Sequence, residues 1–278
     1  MLTNLNDILR PALKEGRAVA QFNAITATMA SAVIDAAEAA GLPVVLGIEE
    51  KQLELLGLED FISFALPIAR RAAVPVAVHL DHCSSRDVVL EALKAGFTSV
   101  NYDCSKEGFE ENVSRVAEIS ALAHECGATV EAELGHVPLA AELSGDLDDA
   151  DMTIPNEARE FVWRTGVDAL GISVGTAMGA YQTQPKLDYD RIRAISETAR
   201  IPLTLHGGSG LSDKALRQAV EAGITKVNFF TDIDIAAAQG IIFAVNSGVS
   251  TMSEILPYER YAIRVQAAEK LRLMGREE

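Results

Sequence analysis

Eight short apolar, β-rich runs punctuate the chain, each followed by a longer stretch with helical character. The runs are Ala18 to Phe22, Pro43 to Gly47, Val76 to Leu80, Ser99 to Tyr102, Thr129 to Glu133, Ala169 to Val174, Leu203 to His206 and Lys226 to Phe229. Between them lie helical stretches such as Ala27 to Ala40, Leu55 to Ala73, Asp87 to Ala95, Glu110 to Cys126, Asn156 to Thr165, Asp190 to Ala199 and Asp213 to Ala222. Strand and helix in strict alternation is the mark of a parallel sheet covered by helices. Gly41, Gly96 and Gly223 each end a helix just before a strand, as left-handed helix caps do. Eight such units predict a closed α/β barrel of the (β/α)8, TIM-barrel type. With 278 residues and no linker, the whole of 1–278 reads as a single domain, extended by a terminal helix from Tyr258 to Met274. Two stretches break the rhythm: His136 to Thr153, read as a mobile loop after the fifth strand, and Asn246 to Pro257, read as the lead into the terminal helix.

Charge and cysteine content narrow the partners. A formal charge of −16 argues against nonspecific nucleic-acid binding, which needs a basic surface to displace counterions. No apolar run approaches the roughly 20 residues that span a bilayer, and the first residues lack the pattern of a signal peptide. A cytoplasmic protein without a membrane partner is therefore expected. Cys83, Cys104 and Cys126 form an odd set without paired spacing, so neither a disulfide framework nor a Cys-rich zinc site is predicted. On so acidic a chain, an anionic ligand has to be held locally, by backbone amides, a metal or single cations.

In a barrel of this kind reactive groups project from the C-terminal ends of the strands. Polar residues collect there: Asn23 after the first run, Asp81 and His82 after the third, Asp103 and Ser105 after the fourth, Glu131, Glu133 and His136 at the fifth, His206 at the seventh, Asn228 and Thr231 at the eighth. Imidazoles and carboxylates converging from different strands bind zinc while leaving a position open for substrate. His82 and His206 are the best candidates for ligands, with Asp103 and Glu133 beside them. The alternative for each is a buried histidine held by hydrogen bonds. His79 is assigned a supporting or structural role and His124 a surface position, and Cys83 and Cys104 read as packed thiols.

Glycine permits the close approach of backbone N–H groups to an anion. Gly207-Gly208-Ser209-Gly210 runs directly into a helix start at Leu211-Ser212-Asp213, which adds the positive end of a helix dipole. A tight strand-to-helix turn also needs glycine. With Gly175-Thr176 and the Asn228 to Thr231 segment on adjacent strands, phosphate is the preferred reading.

These residues, taken in order, resemble the class II, zinc-dependent ketose-bisphosphate aldolases, close to the fructose- and tagatose-bisphosphate members. The resemblance covers nearly the whole chain. It is carried by Gln21-Phe22-Asn23, His79-Leu80-Asp81-His82, Asn101-Tyr102-Asp103-Cys104-Ser105, Val130-Glu131-Ala132-Glu133-Leu134-Gly135, Gly175 to Tyr181, Leu205 to Gly210 and Lys226-Val227-Asn228 through Thr231-Asp232. It implies reversible cleavage of a phosphorylated ketose into dihydroxyacetone phosphate and an aldehyde. Asp81 would be the acid/base on the departing hydroxyl, and His82 and His206 would hold Zn2+. Asp103 and Glu133 match carboxylates of an alternative metal position. Asn23, Gly179, Gly207, Ser209, Asn228 and Thr231 fall among the substrate and phosphate contacts. The family's habit and the terminal helix predict a homodimer or homotetramer.

The departures are specific. Where the family reads Gly-Thr-X-His-Gly, this chain reads Gly175-Thr176-Ala177-Met178-Gly179, so a thioether replaces the third histidine, and Met is a poor zinc ligand. Gln182 follows Tyr181 where a lysine is usual, and Ile48-Glu49-Glu50-Lys51 replaces a Gly-rich stretch. Three readings stay open: a metal on His82, His206 and a carboxylate, a metal completed by His136, or a metal-free or noncatalytic sugar-phosphate binder on the same barrel.

Overall fold

A computed structural model describes residues 1–142, 147 and 151–275. The chain opens with a two-residue strand, β1 (Leu2–Thr3), and the helix α1 (Leu5–Glu15). Eight parallel strands then close on themselves: β2 (Val19–Asn23), β3 (Val44–Glu49), β4 (Val76–Cys83), β5 (Ser99–Tyr102), β6 (Thr129–Leu134), β7 (Ala169–Ile172), β8 (Leu203–Leu205) and β9 (Ile224–Phe229). Pairing of Val19 with Lys226 and of Gln21 with Asn228 joins the last strand to the first of the ring. The fold is the expected TIM barrel. Its outer layer is α2 (Ala27–Ala40), α3 (Glu50–Leu56), α4 (Leu58–Arg71), α5 (Arg86–Ala95), α6 (Phe109–Glu125), α7 (Pro155–Thr165), α8 (Tyr189–Ala199), α9 (Asp213–Ala222), α10 (Thr231–Asn246) and α11 (Met252–Gly275).

The helix α1 shapes the N-terminal mouth. The Asn4 side chain accepts from the backbone N–H of Asp7 and caps α1. Leu5, Ile8, Leu9 and Ala12 then pack against Val19, Val45, Ala77 and Ala169, one residue from each of four strands, so α1 plugs the bottom of the barrel. Burial of each large side chain there contributes roughly 1.5–3 kcal/mol. Above the plug the interior turns polar. Gln21, His79, Ser99, Asn101, Glu131, Thr204 and Lys226 are all fully buried, because inward positions recur every second residue of a strand.

The differences from expectation lie at the ends of elements. α1 carries a Pro and no long apolar run, so it was not among the predicted helices. The predicted helix from Leu55 is two helices broken at Gly57, whose φ of 86° ends the first. The terminal helix starts at Met252 rather than Tyr258, since Pro257 removes one backbone bond from 24 residues and packing of Ile263, Ala267 and Leu271 outweighs it. Of the stretch Asn246 to Pro257, Met252 to Pro257 belong to α11, and α10, which was not among the predicted helices, ends at Asn246. Gly41 and Gly96 take the left-handed cap predicted for them. The mobile loop expected over His136 to Thr153 lies in part outside the described residues. Its described start is tied down, with Met178 N–H donating to Pro138 O and Ala140 N–H to Met178 O, both at 2.8 Å.

Candidate active site

Alternation along β4 points His79 and Asp81 inward, and on that pattern His82 faces away. The register against β5 shifts between Leu80 and Cys83, and His82 adopts φ 45°, one of two non-glycine residues in the left-handed region among the described residues. Such a backbone costs a side-chain-bearing residue about 1–2 kcal/mol. It turns two consecutive residues, Asp81 and His82, into the same cleft.

Two amides clamp the Asp81 carboxylate: Asn23 Nδ2 donates to Oδ2 at 2.9 Å and Asn228 Nδ2 donates to Oδ1 at 3.0 Å. Gln21 Nε2 donates to Asn23 Oδ1 and Lys226 Nζ to Asn228 Oδ1, which fixes the orientation of both amides. Burial alone raises the Asp81 pKa, but His82, His206 and Lys226 overcome it and bring the group down to about 2. Asp81 is therefore ionised. Below it, Lys226 pairs with Glu131 at 2.9 Å, Thr204 donates to Glu131 at 2.7 Å and Asn101 donates at 3.1 Å. Burial works against the Glu131 charge, and Lys226 and His206 hold its pKa well below the usual range regardless. Burial and the neighbouring Lys226 push His79 down to about 3, so it is neutral, with Nδ1 2.8 Å from Ser99 Oγ. His79 supports Asp81 from 3.9 Å rather than forming an ion pair with it.

His82 and His206 stand with ring centroids 4.1 Å apart. His82 Nδ1 faces Glu133 Oε1 at 2.8 Å, at an angle outside the hydrogen-bond range. His206 Nε2 lies 3.4 Å from Glu131 and 3.5 Å from Glu133 and also has no hydrogen-bond partner. Burial disfavours charge on His82, yet Glu133 and Asp81 raise its pKa well above the ordinary value. Two buried ring nitrogens without partners, set among four carboxylates, fit a divalent cation. Donor atoms within 4.8 Å of one another group as Asp81, His82 and His206 and as His82, Asp103 and Glu133. The group with both imidazoles holds Asp81, and Glu133 groups with His82 and Asp103; two imidazoles and a carboxylate form a donor set used by catalytic zinc sites. His136 belongs to no such group among the described residues; its Nδ1 is buried without a partner, and its backbone oxygen accepts from Ser173.

The cleft above these groups has a volume of about 300 Å3, and Asn23, Gly179, Gly207, Ser209, Asn228 and Thr231 all line it. A Cβ on Gly207 would lie 2.1 Å from Ala177 O, so only glycine fits that turn. Ser209 Oγ accepts from the N–H groups of Phe230 and Asp232, holding the start of α10 at the cleft. Met178, in the third-histidine position, lines the cleft with Leu139. A second compartment of about 360 Å3 continues past His82 and Met178 toward Asp103, Lys106 and His136. Glu49 and Lys51 border both compartments and were not among the predicted contacts. Glu49 was legible: Val45, Gly47 and Glu49 share one parity, and Glu49 pairs in register with Asp81. The Lys226–Glu131 pair was missed as well, although a lone lysine inside an apolar strand signals a buried partner. His124, placed on the surface, is half-exposed but its Nε2 meets Asp168 at 2.8 Å.

The family model described as "Fructose-bisphosphate aldolase class-II" matches residues 3–278. The chain is 37% identical over 260 residues to a fructose-bisphosphate aldolase of Thermus caldophilus, with 85% of each chain covered. It is 33% identical over 273 residues to a sulfofructosephosphate aldolase of Alkalicoccus urumqiensis, covering 97% of this chain and 95% of that one. The crystal structure of the YdjI aldolase from Escherichia coli K12 superposes with a TM-score of 0.89 at 32% identity, covering 99% and 98% of the two chains. With a strand-end carboxylate beside two imidazoles in a TIM barrel, these matches carry one conclusion: the chain belongs to the class II fructose-bisphosphate aldolase family and is an aldolase-type carbon–carbon lyase.

Proposed function

We propose that the protein cleaves a phosphorylated ketose reversibly into dihydroxyacetone phosphate and an aldehyde, with a divalent metal, zinc by its donor set, on His82 and His206. The carrying observation is the ionised Asp81 carboxylate, oriented by Asn23 and Asn228 beside those imidazoles. Glu133 is the third ligand in this reading and Asp103 an alternative one. When bound, the metal supplies a Lewis acid for the ketone oxygen.

In the cleavage direction Asp81 accepts the proton of the hydroxyl that becomes the aldehyde. The carbon–carbon bond breaks, and its electron pair remains on the triose phosphate half as an enediolate. A proton from water then completes dihydroxyacetone phosphate. The amides of Asn23 and Asn228 keep the Asp81 oxygens aimed while this happens, so no reorientation is needed at the moment of transfer. The phosphate lies at the Gly179, Gly207, Ser209 and Thr231 end, where α10 begins and backbone N–H groups take the place of a cation.

The assembly belongs to the same proposal: a homodimer or homotetramer built through α10 and α11. Nine of thirteen exposed large apolar residues among those described lie on these helices, Phe243, Tyr258 and Tyr261 among them. The groove between the helices is lined without a single Asp, Glu, Lys, Arg or His. A second copy also carrying −16 meets least repulsion on such a face.

Metal analysis of the purified protein together with an aldol-cleavage assay tests the catalytic proposal. The reading of a metal-free or noncatalytic binder, favoured by Met178, predicts sugar-phosphate binding that survives chelation and no turnover. Among the described residues no helix is long and apolar enough to cross a membrane.

A further inference from the structure

We infer that the second compartment takes a neutral, hydroxyl-bearing aldehyde half, so that the preferred ketose carries one phosphate rather than two. The inference rests on the aldolase reading above and concerns which aldehyde that reaction releases. The two compartments share Glu49, Lys51, His82 and Met178, so a ketose whose phosphate sits at the Gly207 end must cross the Asp81–His82 centre and continue past Glu49.

Charges along that path are unfavourable for a second anion. Arg115 lines the second compartment but is committed: its Nη1 meets Glu107 at 3.2 Å, while Nε and Nη2 donate to the Tyr102 hydroxyl at 3.2 and 2.8 Å. That leaves Lys51, Lys106 and the His82 imidazole against Glu49, Glu50 and Asp103. Glu50 accepts from the N–H and hydroxyl of Ser84, which locks it at the mouth. Glu49 is half-buried at the junction itself, in register with Asp81. A second dianion there meets the partly buried carboxylates of Glu49, Glu50 and Asp103, whose charges are weakly screened. Sugar hydroxyls, each both donor and acceptor, suit this mixture of ammonium and carboxylate groups.

The first end of the cleft is different in kind. Gly179, Gly207, Ser209, Phe230 and Thr231 present backbone and hydroxyl groups, and the carboxylates that line the same cleft are Asp81 at the reacting centre and Glu49 at the junction. One end is built for an anion and the other for hydroxyls.

The test measures aldol addition of dihydroxyacetone phosphate to glyceraldehyde, to four- and five-carbon aldoses and to glyceraldehyde 3-phosphate, using the metal-loaded full chain. The expected kcat/KM for the best neutral aldehyde exceeds that for glyceraldehyde 3-phosphate at least tenfold. In Glu49→Gln, which removes the charge and keeps the shape, and in Glu49→Ser, KM for glyceraldehyde 3-phosphate falls several-fold and the preference narrows. Calorimetric binding of fructose 1-phosphate and fructose 1,6-bisphosphate gives a readout without turnover, and tighter binding of the monophosphate is expected. Preference for the phosphorylated aldehyde, or tighter binding of the bisphosphate, overturns the inference while leaving the aldolase reading intact. Failure to add any aldehyde overturns that reading and this inference with it.

Discussion

Glu133 Oε1 lies 2.8 Å from His82 Nδ1, and the same oxygen is 3.5 Å from His206 Nε2. One carboxylate thus lies beside both imidazoles beneath a cleft lined by Met178, the position where the family resemblance implies a third histidine. Glu133→Ala is expected to lower the zinc content of protein purified with limiting metal, and to weaken affinity by at least about tenfold. Met178→Ala changes metal content little, and Met178→His raises affinity. Inductively coupled plasma measurements of metal per chain, with competitive chelator titration, read these effects without relying on activity. Full metal occupancy in Glu133→Ala would remove this residue from the ligand set.

Asp81 carries the proton transfer, so Asp81→Ala is expected to reduce kcat by about 10²- to 10⁴-fold. Asn23→Ala and Asn228→Ala each remove one amide from the carboxylate and lower kcat by a smaller factor, with unchanged metal content in Asn23→Ala. Steady-state kinetics of cleavage decide this. Wild-type kcat in Asp81→Ala would move the acid/base role elsewhere.

The Lys226–Glu131 pair is completely buried, and breaking such a pair leaves an uncompensated charge at a cost of about 3–5 kcal/mol. Lys226→Met should lower stability in urea by that order, and the double variant with Glu131→Gln should recover part of the loss. Additive losses in the double variant would show that the two residues act independently.

Much of this was legible in the sequence, for physical reasons. Apolar strand runs, and helix ends marked by Gly41 and Gly96, are local signals, so the barrel and the strand ends that carry Asp81, His206 and Asn228 follow from them. The turn at His82 is not local: its left-handed backbone answers to the register shift against β5. Glu49 lies two residues beyond the predicted strand end at Gly47, in a stretch that reads only as a departure from the family, and it is also the cap of α3. The plug made by α1 depends on four strands that only the closed barrel brings together.

His79 gives the fold a pH dependence. Burial first, then the charge of Lys226, lowers its pKa from 6.5 to about 3. A neutral histidine in the fold and a protonatable one in the unfolded chain mean that stability is full above pH 6.5 and falls as pH drops from there toward 3. Urea midpoints across that window should fall less steeply in His79→Asn than in the wild type. Parallel curves would assign the acid sensitivity to the carboxylates alone.

The charge-free groove between α10 and α11 predicts that light scattering finds a dimer or tetramer at micromolar concentration. Paired substitutions Phe243→Glu and Tyr261→Glu should yield monomers with the circular dichroism of the wild type. An oligomer unaffected by both would place the contact on another surface.

The most direct measurement is release of dihydroxyacetone phosphate from ketose phosphates by the purified protein, before chelation, after it and after zinc is restored. Turnover is expected to disappear with the metal and return with zinc, and Asp81→Ala is expected to lack it even when metal-loaded. Turnover indifferent to chelation, or none on any ketose phosphate at full metal occupancy, would contradict the metal-dependent aldolase reading.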